Sequence, residues 1–161
     1  MTPENKAARY DRIYEQMKGL LEKPGNGLSK MATIVAVLHN KFDYFFWTGF
    51  YLLDQGELVV GPYQGPVACQ QLARNTGACW TGINSGEIII VENVHEFPGH
   101  IACNSRSNSE IVVPLRCAEG QIIGVLDVDS TKLAAFDAID SRGLEKILSL
   151  MQHESVSCRN H

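Results

Sequence analysis

Two pairs of strand-like runs, each joined by a three-residue turn, restrict this chain more than any other feature. Phe45–Leu53 is rich in aromatic and other strand-forming residues, Asp54-Gln55-Gly56 turns the chain, and Glu57–Pro62 returns. Glu110–Cys117 and Gln121–Asp129 repeat the arrangement about Ala118-Glu119-Gly120, and Ile88–Val91 adds a further short strand. Hairpins join their strands antiparallel, so the sheet is expected to be mainly antiparallel. Helical spacing flanks these runs. Thr2-Pro3-Glu4 opens a helix over about 3–22 with Tyr10, Ile13, Tyr14, Met17, Leu20 and Leu21, and Pro24-Gly25-Asn26-Gly27 ends it. Leu28, Met31, Ala32, Val35 and Leu38 mark a second helix. Ile139, Leu144, Ile147, Leu148 and Met151 mark a last one from about Asp137 to Glu154, before a frayed tail over about 156–161. The expectation is one α+β domain spanning 1–161. A mainly antiparallel central sheet would carry helices on one face and long loops capping a pocket on the other.

The loops hold the reactive groups. Gln64–Gly86 and Asn93–Ser109 are too long to be simple connections, and loops of that length are commonly functional. A short helix is expected around Cys69–Ala73. Of five cysteines, Cys69, Cys79 and Cys103 fall in these loop-like stretches, which hints at redox chemistry; Cys117 and Cys158 are given no role. A net charge of −4 argues against a nucleic-acid surface. No apolar run approaches the ~18–20 residues of a membrane span, and Met1–Arg12 lacks a secretory apolar core. The default location is therefore the cytoplasm, where structural disulfides are not expected. No Cys-x-x-Cys or His-x-x-x-His spacing suggests a metal site.

Alternation along the strands sorts the remaining candidates. Trp47, Gly49, Tyr51 and Leu53 share one face, with Trp47 and Tyr51 roughly 13 Å apart along the strand. The two rings either fill the core or wall a site. On the last strand Ile123, Val125, Asp127 and Asp129 share a face, opposite Gly124, Leu126 and Val128. Burying an unpaired carboxylate is costly, so Asp127 must take a partner or a proton. Glu110 opens its strand beside Cys103, and His100 stands three residues before that cysteine. Carboxylates suit an ammonium group and aromatic rings suit a methyl group, so the combination points to a small amine-bearing ligand. Neither a P-loop nor a dinucleotide-binding glycine motif is present. On the residues alone, Cys103 is a nucleophile or an ordinary small core residue.

Trp47-Thr48-Gly49-Phe50-Tyr51-Leu52, Gly61–Cys69, Gly77-Ala78-Cys79-Trp80, Val94–Cys103, Ser109–Pro114 and Gly124–Ser130 together resemble the free methionine-(R)-sulfoxide reductases, small GAF-domain enzymes. The likeness runs from about Gly27 to Leu150. It implies that Cys103 attacks the sulfoxide sulfur, that Cys69 resolves the resulting sulfenic acid as a disulfide, and that Cys79 is an alternative resolver. It implies that Trp47 and Tyr51 wall the substrate and that Glu110, Asp127 and Asp129 hold it, with Glu110 or Asp127 as the acid. It further implies thioredoxin as external reductant, no metal or organic cofactor, a role against oxidative stress, and a homodimer. Asn104 departs from the Asp many relatives carry after the cysteine, and Trp80-Thr81-Gly82 departs from their Gly-Thr-Ala. Whether His100 assists Cys103 or only shapes the loop is left open. A non-catalytic GAF sensor and a general thiol peroxidase are the competing readings.

Overall fold

The computed structural model describes residues 1–100, 103–152 and 158. Ile101 and Ala102 of the cysteine motif, residues 153–154 of the last expected helix, and the expected tail apart from Cys158 lie outside those residues; that helix, expected to reach about Glu154, ends at Ser149, with residues 150–152 in a turn. Six strands form one antiparallel sheet: β1 Trp47–Asp54, β2 Glu57–Gln64, β3 Gln71–Leu72, β4 Ile89–Val91, β5 Ser109–Arg116 and β6 Ile122–Ser130. Their spatial order is β3-β2-β1-β6-β5-β4, so the two hairpins lie side by side, joined through β1 and β6.

Helices α1 (Pro3–Leu21), α2 (Gly27–Lys41) and α4 (Ala138–Ser149) cover one face. Their starts follow local chemistry. Thr2 accepts from the Asn5 amide with Pro3 in the first turn, Asn26 and Ser29 cap α2 reciprocally, and Asp137 and Asp140 do the same for α4. Met31, Ile34, Val35 and Leu38 of α2 bury against Phe50, Leu126 and Val128, joined by Ile13, Met17, Leu144 and Ile147. Leu28 and Leu20, core residues by their spacing, are instead exposed, because the buried stripe of each helix runs along other positions.

Three details depart from expectation, each for a local reason. Gln71–Leu72 pairs with β2, and the short helix expected around Cys69–Ala73 lies later, as α3 (Gly77–Ser85). It packs on the sheet face opposite the other helices. Gly82 permits that approach: a Cβ there would lie 2.9 Å from Val112 Cγ1. Strand β2 continues past Pro62 to Gln64 because a bulge at Gly61-Pro62 absorbs the missing amide donor. A second irregularity beside Arg116 turns Ile123 to the helix-covered face, away from Val125 and Asp127.

Between α1 and α4 lies a buried polar cluster. The Asp140 carboxylate accepts from Tyr10 Oη at 2.7 Å, Tyr44 Oη at 2.6 Å, the Asp137 amide at 2.9 Å and the Lys6 ammonium. Burial, then the Asp140 charge, raises the Tyr10 phenol well above its usual range, so it stays a donor. Asp140→Ala leaves the Tyr10 and Tyr44 hydroxyls without their acceptor and the buried Lys6 ammonium with only the Asp137 carboxylate, 3.2 Å away. It is expected to cost about 3–5 kcal/mol in urea unfolding, and an unchanged midpoint would show the cluster to be dispensable.

Candidate active site

The face opposite α1, α2 and α4 carries the candidate residues in one row across the sheet. Register sets Trp47 of β1 opposite Asp129 of β6, and Asp129 opposite Glu110 of β5; one pleat along, Gly49, Asp127 and Val112 stand in line. Cross-strand partners carry Cβ atoms about 4.5–5.5 Å apart, so backbone pairing alone gathers an indole and three carboxyl groups. Above them residues 66–69, the start of α3, and Gly99, His100, Cys103, Asn104 and Ser107 line a cavity of about 220 Å³. That is smaller than the ~300–1,000 Å³ of most ligand clefts and suits an amino-acid-sized molecule. Cys69, Cys79, Cys103, Trp47, Tyr51, Glu110, Asp127 and Asp129 all line it, so every residue singled out from sequence meets at one place.

The aromatic wall is tighter than strand rise suggests. Trp47 and Tyr51 ring centroids are 5.7 Å apart and nearly parallel, not roughly 13 Å, because the indole lies back over Gly49. A Cβ at Gly49 would come within 2.9 Å of Trp47 Cζ3, so any side chain there would displace the indole. Tyr63 also stacks with Trp47, with ring centroids 5.3 Å apart. Sequence reading misses it, although the hairpin carries the signal: Tyr63 is paired with Gly49. The wall also anchors the covering loop. Trp47 Nε1 donates to the Pro66 carbonyl at 3.1 Å, and the Tyr51 hydroxyl reaches the Cys69 carbonyl at 3.5 Å.

The carboxyl groups lack a protein cation: among the described residues no Lys or Arg lines the cavity. Glu110 and Asp127 are buried, and the Asp127 Oδ1 atom has no hydrogen-bond partner among the described residues. Burial, then the fields of Glu110 and Asp129, raises the Asp127 carboxyl well above the ordinary range, and burial, then Glu110, raises Asp129. Cys79, expected in a loop, is buried in α3 with Sγ 3.9 Å from Glu110 Oε1; burial, then Asp127 and Glu110, raises its thiol. Cys79 Sγ and one oxygen each of Glu110 and Asp127 lie within 4.8 Å of one another. Such a cluster wants positive charge, from a metal ion or from a ligand's ammonium group.

Cys69 and Cys103 are joined as a disulfide across 34 residues, with Cα atoms 5.7 Å apart. Cys103 is exposed and Cys69 half-buried, so the bond is open to attack from outside. His100 also lines the cavity, and its Nε2 is buried without a partner among the described residues. Trp80, of the departing Trp80-Thr81-Gly82 segment, is not a cavity residue. It is buried in α3 against the sheet, near enough for Nε1 to reach the Leu72 carbonyl at 3.5 Å. Asn104 does line the cavity; its side chain accepts from the Arg106 amide at 2.9 Å.

Residues 31–152 match the GAF domain family. Over 150 residues the chain is 46% identical to GAF domain-containing protein A of Dictyostelium discoideum, covering 92% of this chain and 94% of that one. It is 38% identical over 148 residues to the free methionine-R-sulfoxide reductase of Escherichia coli (strain K12), covering 92% and 89%. Among solved structures it is similar to the free methionine-R-sulfoxide reductase from Neisseria meningitidis in complex with its substrate. That match has a TM-score of 0.87 and 38% identity, covering 94% of this chain and 91% of the other.

Proposed function

This chain belongs to the GAF-domain family of free methionine-R-sulfoxide reductases, and on that footing we propose that it reduces free L-methionine-(R)-S-oxide to L-methionine at the cavity beside Cys103. One observation carries the reading: an aromatic wall, three carboxyl groups without a Lys or Arg beside them among the described residues, and Cys103 converge on a cavity of amino-acid size. The methyl group packs on Trp47, and the ammonium group supplies the charge that the carboxyl cluster lacks.

The chemistry balances without a metal or organic cofactor. The Cys103 thiolate attacks the sulfoxide sulfur while a carboxylic acid protonates the oxygen. The S–O bond breaks, the substrate sulfur gains two electrons as methionine leaves, and the oxygen passes to Cys103 as a sulfenic acid. Asp127 is the acid we favour, since burial, then Glu110 and Asp129, raises its carboxyl well above the ordinary range and so favours the protonated form. The Cys69 thiol then condenses with the sulfenic acid, releasing water and closing the disulfide. The closed Cys69–Cys103 bond supports Cys69 as resolver, and the raised, buried Cys79 thiol is a poor competitor. An external dithiol of the thioredoxin type restores both thiols.

We further propose a homodimer and a cytoplasmic setting, in keeping with the need for a dithiol supply. Among the described residues no helix is long and apolar enough to cross a membrane.

The deciding assay compares free methionine-(R)-sulfoxide with its N-acetyl derivative and with the S epimer. Acetylation removes the charge that the carboxyl cluster holds, so kcat/KM is expected to fall by about 10²-fold or more. Equal rates on free and acetylated substrate would contradict the proposal, and equal rates on both epimers would favour a general thiol peroxidase. A sensor would bind the sulfoxide and lose no thiols. Cys69→Ser is expected to release one equivalent of methionine in a burst and then stall with thioredoxin as the only reductant; unimpaired steady-state turnover would remove Cys69 from the cycle.

A further inference from the structure

The structure joins the two cysteines that the proposed chemistry does not use. Cys117 follows β5 and is fully buried. Cys158 is half-buried, and the two are disulfide-bonded with Cα atoms 5.6 Å apart. Sequence reading expects no structural disulfide and gives neither residue a role. Their separation of 41 residues, with β6 and α4 between them, leaves nothing in the spacing to connect them.

We infer that Cys117 and Cys158 form a second thiol–disulfide couple, chemically separate from the one in the cavity, that stays closed while Cys69 and Cys103 cycle. Separation comes first. Cys117 lies seven residues along β5 from Glu110, roughly 23 Å of strand, and does not line the cavity. The two disulfides cannot exchange within one molecule.

Resistance to reduction follows from the surroundings of the two sulfurs. An incoming thiolate cannot reach Cys117, which is fully buried among apolar side chains. Attack at Cys158 would expel the Cys117 thiolate into that apolar environment, where charge is unfavourable. Glu119 adds a second obstacle, since its carboxylate oxygen lies 2.7 Å from Cys158 Sγ. The negative charge repels an approaching thiolate and disfavours a Cys158 thiolate once formed. Cys103, by contrast, is exposed and its partner Cys69 is only half-buried, so the incoming thiolate has access and the leaving thiolate is not sealed in an apolar core. The second couple therefore opens later and at a higher dithiol concentration.

Closing the bond also ties β6 and α4 into one covalent ring with the end of β5, which removes loop freedom from the unfolded chain. A low-molecular-weight disulfide such as oxidised glutathione suffices to form it. It takes two electrons and two protons from the Cys117 and Cys158 thiols and is released as two glutathione thiols.

The test is differential alkylation of the whole chain. Protein oxidised with glutathione disulfide is exposed to rising dithiothreitol, alkylated and mapped by peptide mass. Cys69 and Cys103 are expected to label first, and Cys117 and Cys158 only at least tenfold higher in reductant. Glu119→Gln should narrow that gap several-fold. Cys158→Ser should lower Tm by roughly 5–15 °C while leaving turnover intact. Labelling of Cys158 before any reductant is added, or opening of both pairs together, would overturn the inference. So would an unchanged Tm in Cys158→Ser. Because wild-type labelling decides the first points, a variant that failed to fold would not rescue the idea.

Discussion

Cys103→Ser is expected to abolish reduction of methionine-(R)-sulfoxide, lowering kcat/KM by at least about 10⁴-fold in a thioredoxin-coupled assay. A serine hydroxyl at this position is not a usable nucleophile toward sulfur, and it can neither take up the oxygen that the substrate loses nor supply the two electrons that its sulfur gains. Folding should be spared, because Cys103 is exposed and contributes no core contact. The cavity walls would remain, so methionine-(R)-sulfoxide should still bind with an affinity near that of the wild type. That combination, intact binding with no turnover, separates a lost nucleophile from a damaged site. Steady-state activity within tenfold of wild type would sink the assignment of Cys103.

Much of this site is legible in the sequence because strand periodicity is a local property. Trp47 and Tyr51 stand two apart twice over, Asp127 and Asp129 stand two apart, and alternation puts each pair on one face before any fold is known. What alternation cannot give is the lateral order of the strands. Only the pairing of β1 with β6 brings Trp47 beside Asp129, and that contact joins residues 82 positions apart in the chain. The errors share this cause. Tyr63 escapes notice because a bulge at Gly61-Pro62 shifts the alternation by one, and a similar irregularity beside Arg116 puts Ile123 on the face that simple alternation denies it. Cys79 reads as a loop residue because α3 is only nine residues long, too short for a clear helical period among small side chains. The Cys117–Cys158 bond has no local signal at all.

Asp127→Asn is expected to move activity and stability in opposite directions, which no purely structural role would do. Asparagine keeps the shape and the hydrogen-bonding capacity of the side chain but can neither deliver a proton nor carry charge. Turnover should fall by about 10²–10⁴-fold, with the loss mainly in kcat if Asp127 is the acid and mainly in KM if it only holds the ammonium group. The stability change follows from proton linkage. In the unfolded chain the carboxyl titrates near about 3.9, whereas in the fold it holds its proton to a higher pH, because of burial and then of Glu110 and Asp129. Between those two values the native state binds more protons than the unfolded one. The contribution of Asp127 is therefore fully present below about pH 3.9 and is lost as pH rises through the folded value. The substituted amide has nothing to titrate, so the variant should gain on the wild type as pH rises through the folded value. Urea unfolding of both proteins from about pH 4 to about pH 8 measures this directly. A wild type that becomes more stable relative to the variant as pH rises would mean that Asp127 is ionised in the fold. Glu110 would then be the remaining candidate to protonate the sulfoxide oxygen.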